Sequence, residues 1–126
     1  MATQTNTNVE PMPNTVPVGT VGSNIQWVGV WSDISKTTFL MRIDVTDVNG
    51  LVLGSTVRIP AGMITFTYTP AATETNGLAR RALDGIIEGG VGITMHSGDP
   101  GSDGTANELT GLGVGSIAEN EWTYSN

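Results

Sequence analysis

"IQWVGVW", residues 25 to 31, decides the fold class, because most of its side chains are apolar and they fall on both faces of an extended chain. A short run of this kind is typical of a strand in the interior of a sheet. We therefore predict a central strand of a β-sandwich here. Trp27 and Trp31 share one face of that strand, so we expect both rings in the core.

The segments that follow alternate between apolar and polar residues, which is typical of strands with one buried face. We predict strands at residues 38 to 45, 51 to 59 and 63 to 69, with Phe66 in the core. In the first of them, one face carries four apolar side chains, those of Phe39, Met41, Ile43 and Val45.

A hairpin is expected between the strands at 38 to 45 and 51 to 59. A three-residue loop, Val48 to Gly50, keeps the apolar faces of both strands on the same side, whereas a two-residue loop does not. We therefore predict the three-residue loop, with Gly50 in the left-handed conformation.

The period changes at residues 77 to 88, where apolar side chains recur every three or four positions. This spacing predicts one amphipathic helix that buries Leu83 and ends at Gly89-Gly90. A short strand follows at residues 91 to 96, and a last one includes "WTY", residues 122 to 124. The predicted fold is mainly β, an antiparallel β-sandwich with one short amphipathic α-helix and an extended N-terminal arm.

The N-terminal arm is residues 1 to 23, which contain three prolines and a single charged side chain. Such a composition predicts an extended segment rather than a packed element, so the β-sandwich domain is expected at 24 to 126. Two interpretations stay open. The arm is either a disordered tail or a segment that orders on a neighbouring subunit through Val16, Val18 and Val21.

Bulk composition excludes several classes of protein. There is no cysteine, so disulfides and thiolate metal sites are impossible, and the net charge of −7 disfavours binding to nucleic acid. No apolar run approaches the roughly 18 residues of a membrane span, and no secretory signal is evident. We therefore expect a protein that is made in the cytoplasm and binds neither nucleic acid nor membrane.

The segment "ITMHSGDPGSDGTANELTG", residues 93 to 111, invites a chemical interpretation because it groups His96 with three acids. Nucleophilic catalysis would need a further partner for His96, and a glycan hydrolase would need Asp99 and Glu108 at a controlled separation. An EF-hand loop beginning at Asp99 matches at Asp103 and Gly104 but fails at its third and twelfth positions.

A structural interpretation fits this segment better. Asp99-Pro100-Gly101 and Asp103-Gly104 are strong turn signals, and Asp, Asn and Thr side chains commonly bond to the backbone of such turns. We therefore predict a surface loop whose polar residues hold its own shape. No catalytic, cofactor-binding or metal-binding residue is predicted in the chain.

The same segment resembles the His-x-x-Asp-Pro-Gly-x-x-Gly-x-x-Asn-Glu-x-x-Gly signature of small virion structural proteins of tailed bacteriophages. The matching positions are His96, Asp99, Pro100, Gly101, Gly104, Asn107, Glu108 and Gly111. A second segment of that group, of the type "YVGLW…GGTFL", is similar to "WVGVWSDISKTTFL", residues 27 to 40.

Two departures from the group are visible. The tryptophan segment here precedes the signature instead of following it, as if the chain were circularly permuted, which neighbouring termini would allow. The Tyr-Ala-Arg that usually follows the signature is missing at residues 112 to 114.

The resemblance implies a capsid decoration, or cement, protein without cofactors. Such a protein would lie on the capsid surface of the virion, bind the major capsid protein and form a homotrimer. The alternative is a tail or fibre component with an adhesin-like role. Its mark would be exposed aromatic side chains in a groove, for which Trp122 and Tyr124 are the candidates. The favoured interpretation of these two residues is instead a last strand that packs into the core.

Overall fold

A computed structural model describes every residue from Met1 to Asn126. The strands are β1 (Ala2–Asn6), β2 (Glu10–Pro11), β3 (Ile25–Trp31), β4 (Phe39–Val48), β5 (Arg58–Ile59), β6 (Thr65–Tyr68), β7 (Val91–His96), β8 (Gly115–Ile117) and β9 (Trp122–Ser125), and the helix is α1 (Asn76–Ile87). All strand pairs are antiparallel. The predicted mainly-β, antiparallel fold with one helix is confirmed.

The largest sheet has four strands in the order β4-β3-β7-β8. β3 lies in its interior, as its apolar sequence predicts, and pairs with β4 on one side and β7 on the other. Every residue of β7 is buried. One face of this sheet, which includes Val28, Val30 and Ile93, packs into the main apolar core. β4 is an edge strand.

A register shift in β4 changes which face Phe39 occupies. Met41 pairs with Val30, but Phe39 pairs with Trp31 across an irregularity at Leu40. Since directly paired residues share a face and consecutive residues do not, Phe39 lies on the opposite face from Met41. The expectation that Phe39, Met41, Ile43 and Val45 share one face is therefore wrong for Phe39.

The N-terminal segment is extended, as predicted, but it packs within its own chain. β1 is the middle strand of a three-stranded sheet with the order β6-β1-β9, and Ala2, Gln4 and Asn6 are buried. Further along, Met12 and Val16 belong to the main core. The expected division between an arm at 1 to 23 and a domain at 24 to 126 is thus corrected, because these residues complete the sheets of the domain.

Both termini lie side by side in this sheet, since Thr3 is paired with Ser125. The Cα atoms of such antiparallel partners are about 5 Å apart. A circular permutation therefore needs only a short connection between the ends of the chain.

The predicted hairpin after β4 does not form. Gly50 is left-handed, with φ +64°, but β5 is only two residues long and pairs with β2. Residues 51 to 55 instead exchange four backbone hydrogen bonds with residues 16 to 23, which take the place of β4 as their partner. Consequently Leu51 is buried while Leu53 is exposed, so residues 51 to 59 do not form the predicted strand with a single apolar face.

Helix α1 covers the three-stranded sheet. Thr75 caps its N-terminus by accepting a hydrogen bond from the Leu78 amide at 3.4 Å, and Gly89 and Gly90 follow its end with positive φ, as predicted. Its buried face consists of Ala79, Leu83 and Ile87. No helix of this chain has the length and apolar character of a membrane span.

The predicted core residues fall into two groups. Phe66 and Leu83 belong to the main apolar core. Trp31 is buried, but on the other face of the four-stranded sheet, together with Phe39. Trp27 and Phe39 are only partly buried, so their expected place in the core is corrected.

Candidate functional site

The loop after β7 covers the second face of the four-stranded sheet, where it meets the tryptophan segment. A Cβ atom added at Gly104 would lie 2.5 Å from the Phe39 ring, so only glycine allows this contact. Phe39 in turn packs against Trp31 with a centroid distance of 4.8 Å and the ring planes tilted by 53°. The two segments that carry the phage resemblance therefore pack against each other.

A chain of buried hydrogen bonds runs beneath the loop. Trp31 Nε1 donates to Thr94 Oγ1 at 3.0 Å, Thr94 Oγ1 lies 2.7 Å from His96 Nε2, and His96 Nδ1 lies 2.7 Å from the Ala106 carbonyl oxygen. The indole can only donate and the carbonyl can only accept. The neutral imidazole therefore carries its proton on Nδ1, and its Nε2 accepts from the Thr94 hydroxyl.

This arrangement leaves His96 without a free ring nitrogen. The side chain is fully buried, and burial lowers the pKa of its imidazole below the ordinary value. Gly29 makes room for the chain, since a Cβ there would lie 2.5 Å from Thr94 Oγ1. His96 thus links the sheet to the loop through its hydrogen bonds to Thr94 and to the Ala106 carbonyl oxygen.

The acidic side chains of the loop bond to the loop itself and to the tryptophan segment. Asp99 Oδ1 accepts from the Gly101 amide at 2.9 Å and from Arg42 at 3.0 Å. Asp103 Oδ1 accepts from the Thr105 amide and hydroxyl, and these bonds lower the pKa of the Asp103 carboxyl.

Glu108 is the least exposed of these acids. Its side chain is 9% exposed and Oε1 lies 3.0 Å from Lys36 Nζ, which also lies 5.8 Å from the centre of the Trp31 ring.

No three His, Asp or Glu side chains of the chain come together in a group that could hold a metal ion.

The remaining signature residues shape the loop backbone. Asn107 has φ +59°, and its side-chain amide donates to the Asp99 carbonyl oxygen at 3.0 Å. Gly101 and Gly104 both have φ +78°. Pro100 is buried, and its carbonyl oxygen accepts from the Ala106 amide. These contacts fold the loop back on itself.

Gly111 joins the end of the loop to the N-terminal segment. A Cβ at this position would lie 2.6 Å from Thr20 Oγ1 and 2.7 Å from Pro17 Cγ. Glycine therefore permits a close approach here.

The three predicted subunit-contact residues differ in exposure. Val16 is 1% exposed and belongs to the core of its own chain, which corrects its proposed role on a neighbour. Val18 and Val21 are exposed, by 80% and 48%. The hydrogen bonds between residues 16 to 23 and 51 to 55 place a segment with two further exposed apolar side chains beside them. We call this group the apolar tip; it consists of Val18, Val21, Val52 and Leu53.

Trp122 and Tyr124 line a cleft of about 270 Å³ between α1, β1 and β9. Both rings are partly buried and also pack against the core. The other lining residues are Gln4, Arg80, Asp84, Ile87 and Glu119. Sequence reasoning found the two aromatic residues but missed Gln4, because β1 was read as part of an arm.

A larger cleft, of about 440 Å³, lies between β4 and residues 57 to 63. Its lining is mainly apolar, and none of its residues has a buried side-chain polar atom without a hydrogen-bond partner.

Comparison with known proteins gives no relative: no protein-family model, no curated protein and no solved structure matches this chain.

Proposed function

We propose that the chain is a bacteriophage capsid decoration protein that binds the outer surface of the head. The observation that carries the proposal is the packing of the signature loop on the tryptophan segment through Gly104 and Phe39. Both segments resemble those of tailed-phage virion proteins, and here their polar groups support each other. The loop thus serves to build a rigid surface rather than to bind a substrate.

The apolar tip is the surface that we assign to the major capsid protein. Its four side chains are between 48% and 80% exposed, and grouped exposed apolar side chains are characteristic of interaction sites. Burying one such side chain fully contributes roughly 1.5–3 kcal/mol before the costs of association. Binding at the tip would hold neighbouring capsid subunits together.

Charge and oligomeric state belong to the same proposal. A net charge of −7 suits the outside of a head better than a surface that faces packaged DNA. A homotrimer would place three tips around a three-fold position of the shell, so that each trimer contacts several subunits. The protein is then located on the capsid surface of the virion.

The experiment is a count of copies per particle, together with binding to purified heads that lack the protein. A fixed simple ratio to the major capsid protein is expected. The double variant Val52→Ser and Leu53→Ser should fold but bind heads at least about tenfold more weakly. Ile34→Ser, at an exposed apolar position outside the tip, is the matched control. Full binding by the double variant would refute the assignment of the tip.

A tail or fibre component with an adhesin-like role is the second candidate. The cleft beside Trp122 and Tyr124 favours it in part, because the two aromatic side chains line a groove but are partly buried and not exposed as this function would require. The copy number separates the two functions, because a tail component is present in far fewer copies than the capsid protein.

A further inference from the structure

The cleft between α1, β1 and β9 contains two buried polar atoms without a hydrogen-bond partner. They are Gln4 Oε1, an acceptor, and Trp122 Nε1, a donor. Gln4 is only 2% exposed. Most buried polar groups in proteins are paired, because an unpaired one loses its bond to water and gains nothing in return. Both atoms belong to residues that line the same cleft, which points to a ligand that completes their bonds from there.

The orientation of Gln4 is fixed by its own chain. Its Nε2 donates to Asp84 Oδ1 at 2.6 Å, so the amide nitrogen is engaged and the carbonyl oxygen is left over. Trp122 is also held in place, since its ring packs on Phe66 with a centroid distance of 5.5 Å. The unpaired acceptor and donor are therefore preorganised.

We infer that this cleft binds one saccharide ring through its hydroxyl groups. A hydroxyl can accept a hydrogen bond from Trp122 Nε1 and donate one to Gln4 Oε1, so a single group type satisfies both atoms. The aromatic side chains of Trp122 and Tyr124 offer apolar surface to the C–H groups of the ring. Aromatic lining with a few fixed polar groups is typical of small-molecule sites.

The charges in the cleft favour a neutral, hydroxylated ligand over an ion. Arg80 provides donors, while Asp84 and Glu119 provide acceptors. A cation would satisfy Gln4 Oε1 and the two carboxylates but not Arg80 or the indole N–H. An anion would face both carboxylates. Hydroxyls can match donors and acceptors at the same time.

The size of the cleft sets how much of a glycan it can hold. Its volume of about 270 Å³ is just below the range of about 300–1,000 Å³ for drug-sized ligands. One ring fits, and further units of a chain would extend into solvent. Arg80 lies 4.5 Å from the centre of the Tyr124 ring and 3.6 Å from Asp84 Oδ2, and its side chain is 59% exposed. A ligand that reaches the two buried atoms would therefore displace the Arg80 side chain from these contacts into solvent.

This inference goes beyond the proposed function and does not depend on it. A protein on a head and a protein on a tail could both carry the site. Copy number tests the proposed function, whereas binding by the isolated protein tests the site, so that either can fail without the other.

The experiment follows the indole N–H resonances of the full-length, ¹⁵N-labelled protein by NMR. Glucose, galactose, N-acetylglucosamine and rhamnose are titrated separately, each followed by a disaccharide that contains it. At least one should shift the Trp122 indole signal in a saturable way. Tighter binding of the disaccharide would assign the site to a glycan chain, and equal binding would assign it to a free sugar.

Trp122→Phe is the decisive variant, because it keeps an aromatic ring and removes only the unpaired donor and the indole's second ring. Backbone amide shifts of Gln4 and Asp84 then report binding, which should weaken at least about tenfold. Its unfolding free energy is measured alongside, to show that the fold is retained. Trp27→Phe, outside the cleft, is the matched control and should bind like the parent.

Three results would overturn the inference. One is the absence of a saturable shift with every sugar tested. Another is unchanged binding by Trp122→Phe. The third is a crystal structure grown with the sugars in which an ordered water alone bridges Gln4 Oε1 and Trp122 Nε1.

Discussion

Thr94→Val tests the hydrogen-bond chain beneath the signature loop. Valine has nearly the shape of threonine, so the change removes the hydroxyl and leaves no cavity. Two buried groups then lose their partner at once: the Trp31 indole N–H, bonded at 3.0 Å, and His96 Nε2, at 2.7 Å. Neither atom has a second hydrogen-bond partner in the folded chain, and the neighbouring Gly29 brings no polar side chain to replace the lost hydroxyl.

The magnitude follows from the number of groups left unpaired. A buried donor or acceptor that loses its partner costs about 1–3 kcal/mol, so two cost about 2–6 kcal/mol. Small domains are stable by only about 5–15 kcal/mol in total. We therefore expect Thr94→Val to remove a large fraction of the unfolding free energy while the variant still folds at low temperature.

Urea unfolding followed by tryptophan fluorescence and far-UV circular dichroism measures this loss. The midpoint should fall while the slope with denaturant stays the same, because the folded structure is unchanged in extent. Thr67→Val is the matched control, since Thr67 is exposed in β6, and its effect should stay within about 0.5 kcal/mol. A loss below about 1 kcal/mol for Thr94→Val would refute the reasoning.

Four further predictions concern the loop and the termini. Burial lowers the pKa of His96, so the unfolded chain binds a proton below about pH 6.5 that the folded chain does not. The unfolding free energy should therefore decrease as the pH falls from about 6.5 towards the lowered pKa, by at most about 1.4 kcal/mol per pH unit. Urea unfolding measured as a function of pH should show this decrease in the parent but not in His96→Gln. Gly104→Ala would place a Cβ 2.5 Å from the Phe39 ring at a φ of +78° and should destabilise by more than about 2 kcal/mol in the same assay, whereas Gly85→Ala, at an open helical position, should be neutral or stabilising. Asp99→Ala combined with Glu108→Ala should lower the thermal midpoint and weaken assembly on heads. Most of this effect should come from Glu108, because the Arg42–Asp99 pair is exposed and is worth about 0.2–1 kcal/mol. A double variant that folds and assembles like the parent would contradict the structural role of the loop. A circular permutant that begins at Thr73, ends at Ala72 and joins Asn126 to Met1 by about four residues should unfold cooperatively with a parent-like circular dichroism spectrum, and an unfolded product would show that the paired termini do not suffice.

The elements that the sequence predicts well are those whose pattern is local. β3 and β7 are short, largely apolar runs, and α1 carries an apolar periodicity of three to four residues. The observed bounds of all three agree with the prediction to within a residue at each end. The turns of the signature loop were predicted for the same reason, because Pro100, Gly101 and Gly104 dictate them without reference to the rest of the chain.

The elements that were missed depend on distant partners. The buried face of β1 consists of Ala2, Gln4 and Asn6. Because two of these three side chains are polar amides, the sequence does not indicate that this face is buried. Their burial is acceptable because Asp84 binds Gln4, and because Asn6 bonds to the backbone at Pro60 and Ile64. The local sequence around Gln4 and Asn6 does not predict these distant hydrogen-bond partners.

The candidate sites show the same limit. Trp122 and Tyr124 could be named in advance, since aromatic side chains near a terminus are visible in the sequence. Their pairing with Gln4 in one cleft depends on the order β6-β1-β9. In the same way, the contact between Trp31 and Thr94 exists because β3 lies beside β7. That pairing buries the histidine beneath the loop, whereas the sequence alone left open whether it lies on the surface.

The central position of β1 sets the order in which its sheet can form. β1 pairs with β6 on one side and with β9 on the other, where Thr3 is the partner of Ser125. During synthesis β1 can therefore pair with β6 first, while its other edge stays open until β9 has been made. Pairing across nearly the whole sequence also makes closure of this sheet slow. Any surface that depends on the closed sheet, including the cleft beside Trp122, consequently requires β9, and chains that lack this strand would not present it.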